Sequence, residues 1–348
     1  MVGLTNTEHP LRLLALDGGG VRGLSELIII HQLMLRIQRQ NNLRSTPKPC
    51  DIFDLIGGTS TGGLVAIMLG RLKLSIEEAI DEFRSLAKDV FGERKPIGSD
   101  GRFKATNLEN AIRSLVGRYG GASESGKEMR LFDSEGEGCK VFVCAKDARD
   151  VSRTQLYRSY SCDASDENLD VTICEAARAT SAAPTFFKRK KIGAPDREGE
   201  FVDGVMGSNN PVKLVLTEAQ RIFPPDRPVS CIVSIGTGKK YISQVKSPSL
   251  LQRIIPISLI MAVKDMTTDC EAVAEEMERR FANVPVYFRF NVEHGLQSVG
   301  LGEYKQLGNI KAQTIQYLGA FATDQKTTQV ADGLYNDIQG RCLVSDLA

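Results

Sequence analysis

Residues 51–63 read DIFDLIGGTSTGG. Two glycine pairs flank Thr59-Ser60-Thr61, and an almost wholly apolar run, Leu64–Leu69, follows. A short strand over Asp51–Ile56, a glycine-lined turn and the start of a buried helix account for that order. The pattern has a precedent upstream. LRLLAL (11–16) is a buried-strand run that stops at Asp17-Gly18-Gly19-Gly20, and Gly23–Gln40 then carries Leu24, Leu27, Ile28 and Leu35 at helical spacing. Two strand–glycine–helix units in succession argue for an α/β fold with a mainly parallel sheet.

The remaining chain continues the alternation. Ser75–Val90 is amphipathic, with Ser75 as N-cap and Glu78 placed for a capping box. Residues 92–105 form a polar, glycine- and proline-containing loop, a helix starts near Asn107, and 119–138 is a polar stretch. Strands are expected at Lys140–Ala145, Leu156–Tyr160, Phe201–Asp203, Val229–Ile235 and Val286–Phe290. Asp170 is the expected cap of a short helix through Ala179, and helices are expected over Glu303–Leu318 and Asp324–Ile338. No linker-like boundary separates two cores. The expectation is one domain over 1–348, with a motif-bearing core at about 11–240 and a C-terminal strand and helices within 250–340.

With 44 basic and 43 acidic residues the chain has no global field to attract nucleic acid. None of its eight cysteines forms a CxxC pair, and no HExxH or similar ligand spacing occurs, so neither a metal nor a cofactor is called for. Cys139 and Cys144, an odd number of positions apart on one strand, should face opposite ways. Scattered cysteines in so long a chain suggest reduced thiols, hence a cytoplasmic setting. The most apolar window, IIPISLIMAV at 254–263, has about half the length a membrane helix needs.

Two glycine motifs carry the chemistry. In DGGGVRG (17–23) successive glycines expose backbone N–H groups at a helix start, a setting for negative charge. A dinucleotide site would need an acidic residue about twenty positions on. Between Glu26 and Asp51 there is none. Gly58-Thr59-Ser60-Thr61-Gly62 is GxSxG between strand and helix, where the serine hydroxyl stands exposed on a sharp turn. Ser60 needs a base. Of the three histidines, His9 precedes the first strand and His31 is mid-helix, while His294 follows a strand. The alternative base is Asp203, at the end of a short strand in Phe201-Val202-Asp203-Gly204, where partial burial would raise its pKa. An Asp-Gly turn by itself reads equally well as plain turn chemistry.

DGGGVRG, GTSTGG, ARATSAAPTFF (177–187), Asp203-Gly204 and VSIGTG (233–238) occur in the order seen in the patatin-like phospholipase family, and the chain resembles that family from about residue 11 to at least 240. The resemblance implies a three-layer α/β/α fold and a Ser–Asp dyad without histidine. Ser60 would be the nucleophile and Asp203 the proton acceptor. Gly18, Gly19 and Gly20 would donate N–H groups to an oxyanion, with Arg22 at the motif's basic position, steadying the loop or meeting a phosphate. The family usually has Gly or Ala after Asp-Gly; Val205 stands here and would narrow the site.

The implied activity is hydrolysis of fatty-acyl esters of phospholipids or lysophospholipids through an acyl-enzyme. The alternatives are an acyltransferase using the same intermediate and a catalytically silent sensor or interaction module. The implied partner is a lipid, met in transient, peripheral contact with a membrane surface, and the tail from Val284 resembles members in which this domain begins a longer chain. Phe186-Phe187 followed by Lys188–Lys191 is either a patch for anionic headgroups or a solvated basic loop behind a core phenylalanine pair.

Overall fold

The computed structural model describes residues 9–96, 99–121, 128–134, 138–162, 170–194, 196–239, 270–336 and 342–347. The 254–263 window and residues 122–127 and 135–137 of the polar segment within 119–138 lie outside them.

The first strand, β1 (Leu11–Leu16), is buried on both faces and leads through a single 3-10 turn into α1 (Leu24–Gln40). The second strand sits further along than the sequence suggested. Pro49 opens a helical turn, α2 (Pro49–Ile52), and β2 is Leu55–Thr59. Proline suits the first position of a helix, where its missing N–H costs nothing. Then α3 (Thr61–Ala66) continues as a π-turn to Arg71, and α4 (Ile76–Phe91) begins at the expected Ser75–Glu78 capping box. Next come α5 (Ala105–Tyr119), β3 (Lys140–Asp147), β4 (Thr154–Arg158) and α6 (Ile173–Thr180). Thr172, not Asp170, caps α6: it forms a reciprocal box with Glu175, while Asp170 pairs with Arg130 at 3.1 Å. The chain goes on through β5 (Lys190–Ile192), β6 (Gly199–Asp203), the irregular turn α7 (Val205–Ser208), α8 (Val212–Ile222) and β7 (Pro228–Ile235). After helical residues 270–280 (α9) come β8 (Tyr287–Phe290), α10 (Leu307–Leu318), α11 (Phe321–Tyr335) and the short β9 (Cys342–Leu343).

All these strands join one sheet, ordered β5-β6-β3-β2-β1-β7-β8. Its centre, β3-β2-β1-β7-β8, is parallel, whereas β4, β5, β6 and β9 pair antiparallel at the margins. Side chains alternate across β1. Leu14 and Leu16 join the core beneath α1, α4 and α11, while Leu11, Leu13 and Ala15 join the core beneath α8. Helices thus cover both faces, giving three layers. Cys139 packs toward the first core and Cys144 lies in the second, as their odd spacing required, and the cysteines are free thiols. Among the described residues no helix is long and apolar enough to cross a membrane.

Candidate active site

Ser60 occupies the turn between β2 and α3 with φ 54° and ψ −121°. A non-glycine residue there is strained, and the surroundings must hold it in place. Gly62 makes the turn sterically feasible, because a Cβ on it would fall 2.4 Å from the Leu16 carbonyl oxygen. Thr180, the last residue of α6, supplies the restraint. Its Oγ1 accepts from the Ser60 N–H at 2.8 Å and donates to the Cys144 carbonyl at 2.6 Å.

Sheet register brings the second group across. Thr59 lies opposite Cys144, and the next residue of β3, Ala145, lies opposite Asp203 of β6. Ser60 and Asp203 therefore flank β3 from its two sides, and their side chains meet above it. Ser60 Oγ donates to Asp203 Oδ2 at 2.7 Å, and the Val205 N–H donates to Oδ1 at 3.0 Å. Asp203 is fully buried. Burial pushes its carboxyl up to about 7, against the opposing pull of those two hydrogen bonds. Val205 is buried and packs beneath Gly18, which crowds the floor of the site.

The glycine loop lies against this pair. One of its three expected donors is already committed: the Gly18 N–H donates to the side-chain and backbone oxygens of Asn209, at 3.0 and 3.3 Å. The N–H groups of Gly19 and Gly20 have no acceptor among the described residues. Gly20 has φ +59°, and a Cβ on it would fall 2.1 Å from the Leu301 carbonyl oxygen, so only glycine fits. Arg22 is buried. Its Nε donates to the Gly19 carbonyl at 3.4 Å and its Nη1 has no partner among the described residues. Burial lowers its pKa to about 10, which leaves it charged at neutral pH.

Ser60, Asp203 and the glycine loop open into one cavity. One wall is a face of α4, formed by Phe83, Leu86, Ala87, Val90 and Phe91 at positions i, i+3, i+4, i+7 and i+8. That face is about 12 Å long at 1.5 Å per residue. Phe91, Phe186 and Phe187 also line the cavity, with Phe103 behind them; ring centroids lie 5.0–6.2 Å apart. The Phe186–Phe187 pair is thus core and cavity wall. Of the basic residues after it, Lys188 pairs with Asp100, Arg189 with Glu200 and Lys191 with Glu198. The lining also has a polar part, including Asn209, Thr237, Glu271 and Asn291.

The histidines stand elsewhere. His31 meets Glu77 at 3.3 Å, His9 lies 3.6 Å from Asp54, and His294, in the loop after β8, is not among the cavity-lining residues. Sequence reasoning missed Thr180, Asn209 and Arg289, whose guanidinium grips Asp17. Thr180 lies inside the quoted ARATSAAP stretch, so a signal for it existed. Asn209 and Arg289 gave none, because their partners are 191 and 272 positions away.

The fold and cavity define a three-layer α/β/α protein whose site lies at the carboxyl ends of parallel strands, with a hydroxyl–carboxylate pair at its floor. A family model described as patatin-like phospholipase matches residues 14–216, and the chain belongs to that family. It is 27% identical over 315 residues to patatin-like phospholipase 1 of Plasmodium falciparum, covering 83% of this chain and 44% of that protein. It is 27% identical over 338 residues to the calcium-independent phospholipase A2-gamma of Mus musculus, covering 92% of this chain and 40% of that one. A cGAMP-activated phospholipase of Vibrio cholerae is 28% identical over 256 residues, covering 67% of this chain and 66% of that protein. The chain therefore spans less than half the length of the first two relatives.

Proposed function

We propose that the chain hydrolyses fatty-acyl esters of phospholipids or lysophospholipids, and that residues 1–348 act as one patatin-like catalytic domain. The observation that carries this reading is the 2.7 Å hydrogen bond from Ser60 Oγ to a buried Asp203 whose pKa is raised to about 7. A carboxylate tuned near the working pH is a competent general base, which one near 3.9 is not.

In the proposed mechanism Ser60 Oγ bonds to the ester carbonyl carbon while its proton passes to Asp203 Oδ2. The N–H groups of Gly19 and Gly20 hold the oxyanion; each such donor supplies about 3 kcal/mol of transition-state stabilisation. Arg22 steadies the loop through the Gly19 carbonyl. Collapse of the tetrahedral species breaks the ester C–O bond, and the leaving alcohol takes the proton from Asp203. Water then attacks the acyl-enzyme, gives a proton to Asp203, and releases the fatty acid as Ser60 is reprotonated. The apolar α4 wall takes the acyl chain. Its length of about 12 Å compares with the roughly 15 Å that one leaflet of hydrocarbon core provides. The substrate comes from a lipid surface, which implies transient peripheral contact from the cytoplasmic side.

A fluorophosphonate probe tests the reading. Covalent labelling of Ser60 is expected, with labelling and ester hydrolysis lost in Ser60→Ala and hydrolysis lost in Asp203→Asn. Hydrolysis lost in His294→Ala but kept in Asp203→Asn would refute the dyad.

A further inference from the structure

Asp17 contributes the only side chain of the DGGG segment, and that side chain enters a buried ion pair. Arg289 of β8 donates from Nη1 to Asp17 Oδ1 at 3.0 Å and from Nη2 to Oδ2 at 2.6 Å. Its Nη1 also donates to Ser234 Oγ at 2.8 Å, and both members of the ion pair are buried. Arg289 lies beyond the 14–216 stretch that the family model matches. The same C-terminal segment touches the loop again, where the Leu301 carbonyl accepts from the Val21 N–H at 2.9 Å.

We propose that Arg289 is a positioning residue for the oxyanion site: its two-pronged grip on Asp17, braced by Ser234, sets the orientation of the Gly19 and Gly20 N–H groups. The proposal rests on the reading of those two groups as oxyanion donors. Three successive glycines have little intrinsic preference for one backbone conformation. Donors must nevertheless be aimed to within about 10–20° to act in a transition state. The backbone of the loop is tied at the Asp17 N–H by the Ile235 carbonyl, at the Gly18 N–H by Asn209, at the Gly18 carbonyl by Thr237 Oγ1, at the Gly19 carbonyl by Arg22 and at the Val21 N–H by the Leu301 carbonyl, and none of these ties holds the side chain that anchors the loop to the strand end. A guanidinium fork on both carboxylate oxygens at Asp17 does, because two parallel hydrogen bonds remove the rotation that a single one leaves. Lysine would keep the charge and lose the fork.

The test uses the full chain with Arg289→Lys and, as the milder change, Ser234→Ala, which loosens the guanidinium without leaving Asp17 unpaired. Hydrolysis of a soluble acyl ester and backbone amide exchange over residues 17–23 are measured together. The proposal expects at least a tenfold fall in kcat for Arg289→Lys and a smaller fall for Ser234→Ala. KM should stay within twofold and exchange at Gly19 and Gly20 should be faster in both. Unchanged exchange at those amides in folded Ser234→Ala overturns the proposal. Faster exchange with unchanged kcat overturns it as well, and with it the donor assignment. If the wild type fails to react with a fluorophosphonate, the hydrolase reading falls, while exchange still reports whether Arg289 orders the loop.

Discussion

Ser60 and Asp203 belong to strand ends on opposite sides of β3, yet Ser60 Oγ and Asp203 Oδ2 are 2.7 Å apart. The carboxyl is fully buried with two hydrogen-bond donors among the described residues, and the cost of burying its charge brings its pKa to about 7. That balance makes the pair sensitive to pH near neutrality.

The first prediction concerns rate. Asp203 can accept the Ser60 proton only when ionised, so kcat/KM on an uncharged ester should be flat above about pH 7 and fall about tenfold per pH unit below it. A pH–rate profile with its acidic limb near pH 4, the ordinary carboxyl range, would contradict the proposed base.

Stability should show the opposite sign. Because the folded-state pKa exceeds the unfolded one, the native chain binds the extra proton between about pH 3.8 and 7, and stability falls as pH rises through that window. The shift corresponds to roughly 4 kcal/mol at its limit. Asp203→Asn keeps an acceptor for the Val205 N–H and carries no charge. Its Tm should exceed the wild-type value at pH 8 and approach it at pH 4, as scanning calorimetry at the two pH values would show.

Thr180→Val removes the acceptor for the Ser60 N–H and the donor to the Cys144 carbonyl in a fully buried place. Each orphaned group costs about 1–3 kcal/mol. The strained turn at Ser60 loses its restraint, so kcat should fall about tenfold or more with KM little changed. Steady-state kinetics alongside Tm would check this; Thr180→Ser, which keeps the hydroxyl, should recover most of the rate.

Acyl length is the fourth. Phe91 stands at the C-terminal end of the α4 wall, against Phe103 and Phe187. Phe91→Ala should open that end. A series of p-nitrophenyl esters should then show kcat/KM rising for longer chains relative to short ones, by about fourfold to fifteenfold if one or two more methylenes are buried at about 0.8 kcal/mol each. An unchanged length profile would place the chain elsewhere.

Local grammar in the sequence determined a good deal. Both strand–glycine–helix units, the Ser75–Glu78 box and the buried run of β1 depend on neighbouring residues, and all are legible from the local sequence. Local reading slipped where two local signals competed. Pro49 turned Asp51 and Ile52 into a helical turn instead of strand, and Thr172 with Glu175 outbid Asp170 as a cap. For the site, the motifs singled out Ser60, the glycine loop and Asp203 but left His294 open as a partner and counted Gly18 among the donors. Only tertiary geometry bears on those points. Which carboxylate or ring meets Ser60 depends on sheet register, with Thr59 opposite Cys144 and Ala145 opposite Asp203. Whether Gly18 has a spare N–H depends on Asn209, and what holds Asp17 depends on Arg289. Such pairings join residues from 58 to 272 positions apart, and they form only when a packed core brings the strands together, so no local window of sequence contains them.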